Sequence, residues 1–178
     1  DGHRPEFWLS DRYSAQQGHG QKQQTCLAHL ARHIAYGLQA SEDQAPLRLK
    51  LWLGKVFALA EAATSLAPES LARKRRELDN RLAAILKAGS TCPVARELLA
   101  KIANARDQLF TFCEAPGHLA ITNNQCERLL RPAVVQRKVT NGYRSAWAAS
   151  MEAMARTATD TAALAGTPRF ETILAAFR

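Results

Sequence analysis

Two short segments bring acidic, basic and amide side chains close together along the sequence. Asp11 directly follows the apolar run Phe7–Leu9, at the point where the carboxyl end of a buried strand would meet a loop. Glu127 lies within Thr122–Pro132, a segment whose pattern opens a helix. The basic residues in and after that segment suit phosphate contact by forked or point-charge hydrogen bonds, and they are Arg128, Arg131, Arg137 and Lys138.

A third segment offers metal-ligating side chains. Cys26 and His29 form a Cys-x-x-His pair, which is half of the ligand set of a structural zinc site. No second close pair of Cys or His follows it, so the ordinary interpretation is a buried thiol beside a polar histidine. The four cysteines are widely scattered in a chain without an export signal, and we expect reduced thiols rather than disulfides.

Short strands and helices must position these segments. Residues 7–9 are predicted as a strand, residues 12–24 as a loop or a poorly formed helix, and residues 25–27 as a second short strand. Beyond them, apolar side chains recur at helical spacing and predict a helical bundle. Its stripes are Leu30, Ile34 and Leu38; Leu49, Leu53, Val56 and Ala60; Leu71, Leu78, Leu82 and Ile85; and Leu98, Ile102, Ala105, Leu109 and Phe112.

The carboxy-terminal part is predicted as three further helices. Thr122 and Gln125 fit a capping box, and we expect the helix that starts there to be short because Pro132 would disrupt it. A long helix is predicted from about Ser145 to Leu164. The last helix follows Gly166 and ends near Phe177.

Composition bounds the class of protein and of partner. The chain has 178 residues, 47% of them apolar, which is enough for one domain with a buried core. Its formal net charge of +8 favours a polyanionic partner, with nucleic acid first and an acidic membrane surface second. The sequence has no run of roughly 18 to 20 apolar residues and no signal-peptide pattern, so we expect a cytoplasmic protein.

The motifs closely resemble those of the insertion sequence 66 family of transposases. Thr122–Pro132, with Arg137 and Lys138 beyond it, is similar to the family's N-N-x-x-E-R-x-x-R-P…R-K motif. Residues 26–32 resemble its C-W-A-H-L-x-R motif, with Leu27 in place of the Trp and Ala31 in place of a frequent basic residue. Asp11 stands where the second catalytic aspartate of the family would lie, and residues 139–143 depart from the usual aromatic ending.

This resemblance implies a fold and a reaction. The expected fold is mainly α with a few short strands: a partial ribonuclease-H-like α/β catalytic core that carries a large helical insertion. The implied divisions are residues 1–44 for part of the core, 45–117 for the insertion and 118–178 for the carboxy-terminal helices of the core. The implied function is DNA transposition by phosphoryl transfer with Mg²⁺ or Mn²⁺, acting on transposon-end DNA. A homo-oligomer and accessory proteins of the same element are further implied partners, and the implied location is the bacterial cytoplasm, in association with the nucleoid.

The resemblance also assigns roles to residues. Asp11 and Glu127 are the implied catalytic residues and metal ligands, two of three carboxylates that hold two divalent cations. The implied DNA contacts are Asn123, Asn124, Arg128, Arg131, Arg137 and Lys138. The family's first carboxylate would lie on a strand well before Asp11, and Asp1 is too near. We therefore expect a carboxy-terminal fragment that is inactive alone. Whether this chain is itself an enzyme stays undecided from the sequence.

Each of these residues also has an ordinary structural interpretation. Glu127 suits an ion pair with Arg131 at i, i+4, and Asp11 suits a turn. Asn123 and Asn124 suit the shaping and capping of a helix start. For the whole chain, the alternatives are a non-catalytic DNA-binding remnant and a helical interaction module.

Overall fold

The computed structural model of the chain describes residues 4–176 and divides them into two compact units, the first extending to Asn124 and the second beginning at Gln125. The first contains β1 (Phe7–Ser10), β2 (Lys22–Thr25), α1 (Leu27–Ala40), α2 (Gln44–Ala62), α3 (Pro68–Ala88) and α4 (Pro93–Ala103). The second is built on α5 (Asn124–Thr140), α6 (Ala146–Leu164) and α7 (Arg169–Ala176). The mainly α class with short strands is confirmed for the described residues, and the three-part division of the chain stays a prediction.

The two strands form a parallel pair. Their register places Phe7 opposite Lys22 and Ser10 opposite Thr25. The prediction of a strand at 25–27 and of a loop through Gln24 was wrong, because β2 ends at Thr25 and α1 begins at Leu27. The cause is tertiary: side chains of the polar β2 find partners in the fold. Gln24 is fully buried, and its Oε1 accepts a hydrogen bond from the Phe112 N–H at 2.9 Å.

The helices of the first unit enclose one apolar core. The predicted stripes of α1, α2 and α3 point into it, and Leu49, Val56 and Leu82 are fully buried. The Trp52 indole adds a polar link between helices, because its Nε1 donates to the Leu78 carbonyl at 2.9 Å. Burial of this kind stabilises a fold by roughly 1.5–3 kcal/mol for each large apolar side chain.

Residues 98–112 were predicted as one helical stripe, and that prediction was wrong beyond Ala103. Two short 3-10 turns, Arg106–Gln108 and Thr111–Glu114, follow α4. The stripe residues Leu109 and Phe112 are nevertheless buried. The reason is again pairing with β2, since the Thr111 hydroxyl donates to the Gln23 carbonyl at 2.6 Å and draws the chain away from a helical path.

The prediction of a short helix ending before Pro132 was also wrong. The helix α5 begins at Asn124, two residues after the predicted cap Thr122, and continues through Pro132 to Thr140. A proline inside a helix removes one intrahelical hydrogen bond at a cost of roughly 3 kcal/mol, which the remaining turns can offset. The predicted long helix is confirmed as α6 with Ser145 as its N-cap, and a last helix is confirmed as α7. Its predicted end near Phe177 lies outside the described residues.

Between residues 4 and 176, no helix has both the length and the apolar character that crossing a bilayer requires.

Candidate functional site

Asp11 lies immediately after β1, at the carboxyl end of the parallel pair. Its Oδ1 accepts the Tyr13 backbone N–H at 3.0 Å, which closes a tight turn, and its side chain is exposed. Arg12 in that turn has a φ of 71°, in the left-handed region that costs free energy for a residue with a Cβ. The Arg12 guanidinium offsets the cost by donating to the Asn104 carbonyl at 2.6 Å. The turn that presents Asp11 is thus fixed to the end of α4.

Asp11 borders a cleft of about 270 Å³ within the first unit. The cleft is lined by Asp11, Arg12, Thr25, His29, Leu30, His33, Lys101, Asn104 and Ala105. Asp11 is the one acidic residue among them, whereas Arg12 and Lys101 are cationic. Partial burial, with Lys101 and His29 nearby, lowers the pKa of His33. The cleft therefore places two cationic side chains near the Asp11 carboxylate, and one of them, Lys101, also forms an ion pair with Glu97 at 2.8 Å.

The Cys26 segment is joined to the Asn123 segment by hydrogen bonds within the first unit. The Asn123 N–H donates to Cys26 Sγ at 3.4 Å, and the Leu27 N–H donates to the Ile121 carbonyl at 2.9 Å. Cys26 itself is fully buried. The Oδ1 atom of Asn123 is buried and has no hydrogen-bond partner among the described residues. Two motifs nearly a hundred positions apart in the sequence are therefore adjacent in the fold.

The four cysteines are free thiols, as expected from the sequence. Burial raises the pKa of the Cys113 thiol to about 11, so that it stays protonated and unreactive at neutral pH.

The donor set can be tested against the two divalent cations that the sequence implies. Mg²⁺ and Mn²⁺ need several oxygen ligands, and Asp11 offers the only carboxylate in its cleft, beside cationic groups that oppose a metal ion. In the part of the chain that is described, no group of three or more His, Cys, Asp or Glu side chains is arranged to hold a cation. Asp11 and Glu127 each suit the role of one ligand, but these residues do not fit a complete two-cation centre.

Glu127 lies in the first turn of α5 and is half-buried. Because α5 continues through Pro132, Arg131 and Lys138 stand four and eleven positions beyond Glu127, a spacing that places all three on one face of the helix. Arg128 and Arg137 fall to either side of that face. One flank of α5 also bears a shallow groove lined by Arg128, Arg131, Pro132, Val135, Gln136, Val139 and Thr140.

A polar network fixes α5 to α6 in the second unit. Gln136 donates to Glu152 at 2.7 Å, and Arg156 donates to both Glu152 and Gln136 at 2.7 and 2.8 Å. The Tyr143 hydroxyl also hydrogen-bonds Glu152. Desolvation opposes ionisation of Glu152, yet these partners, with Arg156 foremost, hold its pKa below the ordinary value. The network keeps the Glu127 helix in a defined place against α6.

The structure adds functional candidates that sequence reasoning missed. Arg12, His33 and Lys101 share the cleft of Asp11. His33 is four positions after His29 in α1, so helical spacing offered a signal for it. Lys101 comes ninety positions after Asp11, and no local pattern marks it. Asp11 and its cleft belong to the first unit and Glu127 to the second.

Comparison with known proteins supports one family. The family model described as Transposase IS66 family matches residues 4–151 of the chain. No curated protein and no solved structure matches.

Proposed function

The chain belongs to the IS66 family of transposases, and we propose that it serves DNA transposition by metal-dependent phosphoryl transfer, with Asp11 and Glu127 as catalytic carboxylates. The observation that carries the proposal is the position of Asp11, directly after a parallel strand and at the edge of a cleft that Arg12 and Lys101 also line. An acid at the carboxyl end of a parallel strand suits a ribonuclease-H-like core, which this proposal includes. The parallel pair of β1 and β2 is what the described residues would contribute to such a sheet.

The proposed chemistry is displacement at a DNA phosphodiester by water or by a 3′-hydroxyl. Mg²⁺ or Mn²⁺, if it were held by Asp11 or Glu127 together with further donors, would supply activation of the attacking oxygen and stabilisation of the leaving one. Asp11 and Glu127 are suited to be oxygen ligands, and further donors are needed beside them. The contribution of this chain's own residues is to bind and orient the DNA strand.

The DNA contacts are proposed on two surfaces. On α5, Arg131 and Lys138 share the face of Glu127, so phosphates bound there would lie next to the carboxylate. Arg128 and Arg137 extend the basic surface to either side. Asn123 and Asn124 stand at the start of the same helix and are proposed to contact the strand there.

The cleft of Asp11 is the second surface. Arg12, His33 and Lys101 line it, and a phosphate that entered would contact the cationic groups of Arg12 and Lys101. Asp11 is the one acidic residue that lines the cleft. The phosphates of a bound DNA strand would add negative charge beside it and would favour binding of a divalent cation there.

A non-catalytic DNA-binding role is the second candidate. The cationic groups of Arg12 and Lys101 in the Asp11 cleft favour it, since they can contact phosphate whether or not chemistry follows. The catalytic and the non-catalytic role predict different results when Asp11 or Glu127 is replaced by its amide. Only the catalytic role predicts that DNA cleavage is lost.

Cleavage of DNA that carries the ends of the element tests the proposal. The chain, together with any residues encoded before it in the same frame, is compared with Asp11→Asn and Glu127→Gln, and with Glu171→Gln as an exposed acidic control on α7. We expect both carboxylate variants to lose Mg²⁺- or Mn²⁺-dependent cleavage while they retain DNA binding, and the control to cut normally. Cleavage by Glu127→Gln at the normal rate would overturn the proposal. DNA binding without cleavage in every version would favour the non-catalytic role.

A further inference from the structure

Residues 137–147, which extend from the last turn of α5 across the connection to the first residues of α6, combine basic and aromatic side chains. This segment, called the α5–α6 turn below, carries three basic residues and no acidic one. Trp147 is 72% exposed and Tyr143 is 40% exposed. Aromatic rings of this size ordinarily contribute to a core or an interface, because their burial removes a large apolar area from water. The Trp147 ring is thus available to a partner.

The backbone brings the basic and aromatic parts of the turn together. Asn141 and Gly142 have φ values of 58° and 92°, and these two left-handed residues reverse the chain. A Cβ added to Gly142 would lie 3.8 Å from Cγ of Arg137, so the Arg137 stem runs alongside the turn. The cationic end of α5 therefore lies beside Gly142, the residue that precedes Tyr143.

One of the two rings is held in position. The Tyr143 hydroxyl bonds Glu152, which Arg156 and Gln136 fix in turn. Desolvation and the Glu152 carboxylate raise the pKa of Tyr143, so the hydroxyl stays protonated and can donate to Glu152 at neutral pH. A ring anchored at its hydroxyl loses little conformational freedom when a partner stacks on it.

We infer that the α5–α6 turn binds single-stranded DNA: Trp147 and Tyr143 stack on unpaired bases, and the basic side chains of the turn contact the phosphates. Every base has a π face, so stacking on exposed rings within positive charge recognises single strands without reading their sequence. The positive charge of the α5–α6 turn favours DNA over a second copy of this chain as the partner. A second copy of this chain would bring the same cations to the same place, whereas a polyanion compensates them. The inference rests on the proposed function, since cutting at an element end creates strand ends whose bases can unpair.

Binding of the full chain to an oligodeoxythymidylate of roughly a dozen nucleotides, and to a duplex of the same length, tests the inference. We expect Trp147→Ala to weaken single-strand binding roughly tenfold and to leave duplex binding within about twofold. Phe170→Ala is the matched control, because Phe170 on α7 is 70% exposed and lies outside the turn. It should change neither affinity. Trp147→Phe should retain most of the single-strand affinity.

Two further readouts separate stacking from charge and from folding. Quenching of indole fluorescence by the oligonucleotide should disappear in Trp147→Phe, although Trp8 and Trp52 remain. The slope of the logarithm of the binding constant against the logarithm of salt concentration should be unchanged in Trp147→Ala. In Arg144→Ala the magnitude of that slope should fall by about one. Circular dichroism checks that each variant is folded.

Equal weakening of single-strand and duplex binding by Trp147→Ala, or no weakening at all, overturns the inference and leaves the proposed function standing. Loss of self-association in Trp147→Ala at unchanged DNA affinity also overturns it, because the ring then serves an interface between copies. If the unsubstituted chain binds neither DNA, the proposed DNA-binding role fails together with this inference.

Discussion

The two units of the chain differ in where they keep their apolar side chains. The first unit buries them in one core, with Leu49, Val56 and Leu82 fully enclosed. The second unit contains no buried residue within its described part, from Gln125 to Ala176. Of the sixteen large apolar side chains that are exposed within residues 4–176, twelve lie in the second unit. Similar helical patterns therefore bury their apolar side chains in the first unit and leave them exposed, where a partner can contact them, in the second.

The largest expected difference between the two units is in the stability effect of removing an apolar side chain. Leu82→Ala removes a fully buried side chain of α3, and we expect it to lower the free energy of unfolding by about 2–5 kcal/mol. Leu130→Ala on α5 removes a side chain that is 62% exposed, and we expect a change within about 0.5 kcal/mol. Urea denaturation measures both. Equal losses in the two variants would show that the second unit has a core of its own under solution conditions.

A second test uses acid, because polar contacts hold α5 to α6. The pKa of Glu152 is held below its ordinary value, so its contribution to stability is present above about pH 4.5 and is lost as the pH falls through the folded pKa. The protection factors of amides in α5 and α6, which correct for the slower intrinsic hydrogen exchange at acid pH, should therefore fall before those of α2 do. Glu152→Gln should remove most of this pH dependence, and Glu171→Gln on α7 is the acidic control. An unchanged acid profile in Glu152→Gln would contradict the role of the network.

The smallest expected effect concerns Asn123, at the end of the first unit. Its buried Oδ1 has no partner in the described chain, and an unsatisfied buried acceptor costs roughly 1–3 kcal/mol. Asn123→Ala keeps the backbone N–H that bonds Cys26 and removes the orphaned oxygen. We expect thermal stability that is unchanged or higher by up to about 1 kcal/mol, together with weaker DNA binding. A clear loss of stability would mean that this side chain is structural.

Sequence reasoning succeeded where local physics decides. Ser145 before α6 marks a helix start by its own conformational preference, and apolar spacing identified the core faces of α1 to α3. It failed where distant partners decide. The strand β2 forms from a polar stretch because its side chains meet residues from the end of the bundle, and those contacts also end the helix predicted for 98–112.

The candidate site divides in the same way. The strand before Asp11 and the helix that carries Glu127 followed from local pattern, and the family resemblance is confirmed. The roles of Asp11, Glu127 and the basic residues of α5 stay predictions. Pro132 was read as a helix end, but α5 continues past it, and that continuity is what aligns Arg131 and Lys138 with Glu127.

By itself the sequence determined the positive charge, the mainly helical class and the motifs of a transposase, because composition, periodicity and residue order are properties of the chain alone. The tertiary structure decided which residues share the cleft of Asp11 and which rings of the second unit stay exposed. Lys101 and Asn104 reach that cleft only after α1 and α4 pack together. The physical reason is that contacts between residues some ninety positions apart depend on how the whole chain closes, and no local preference encodes them.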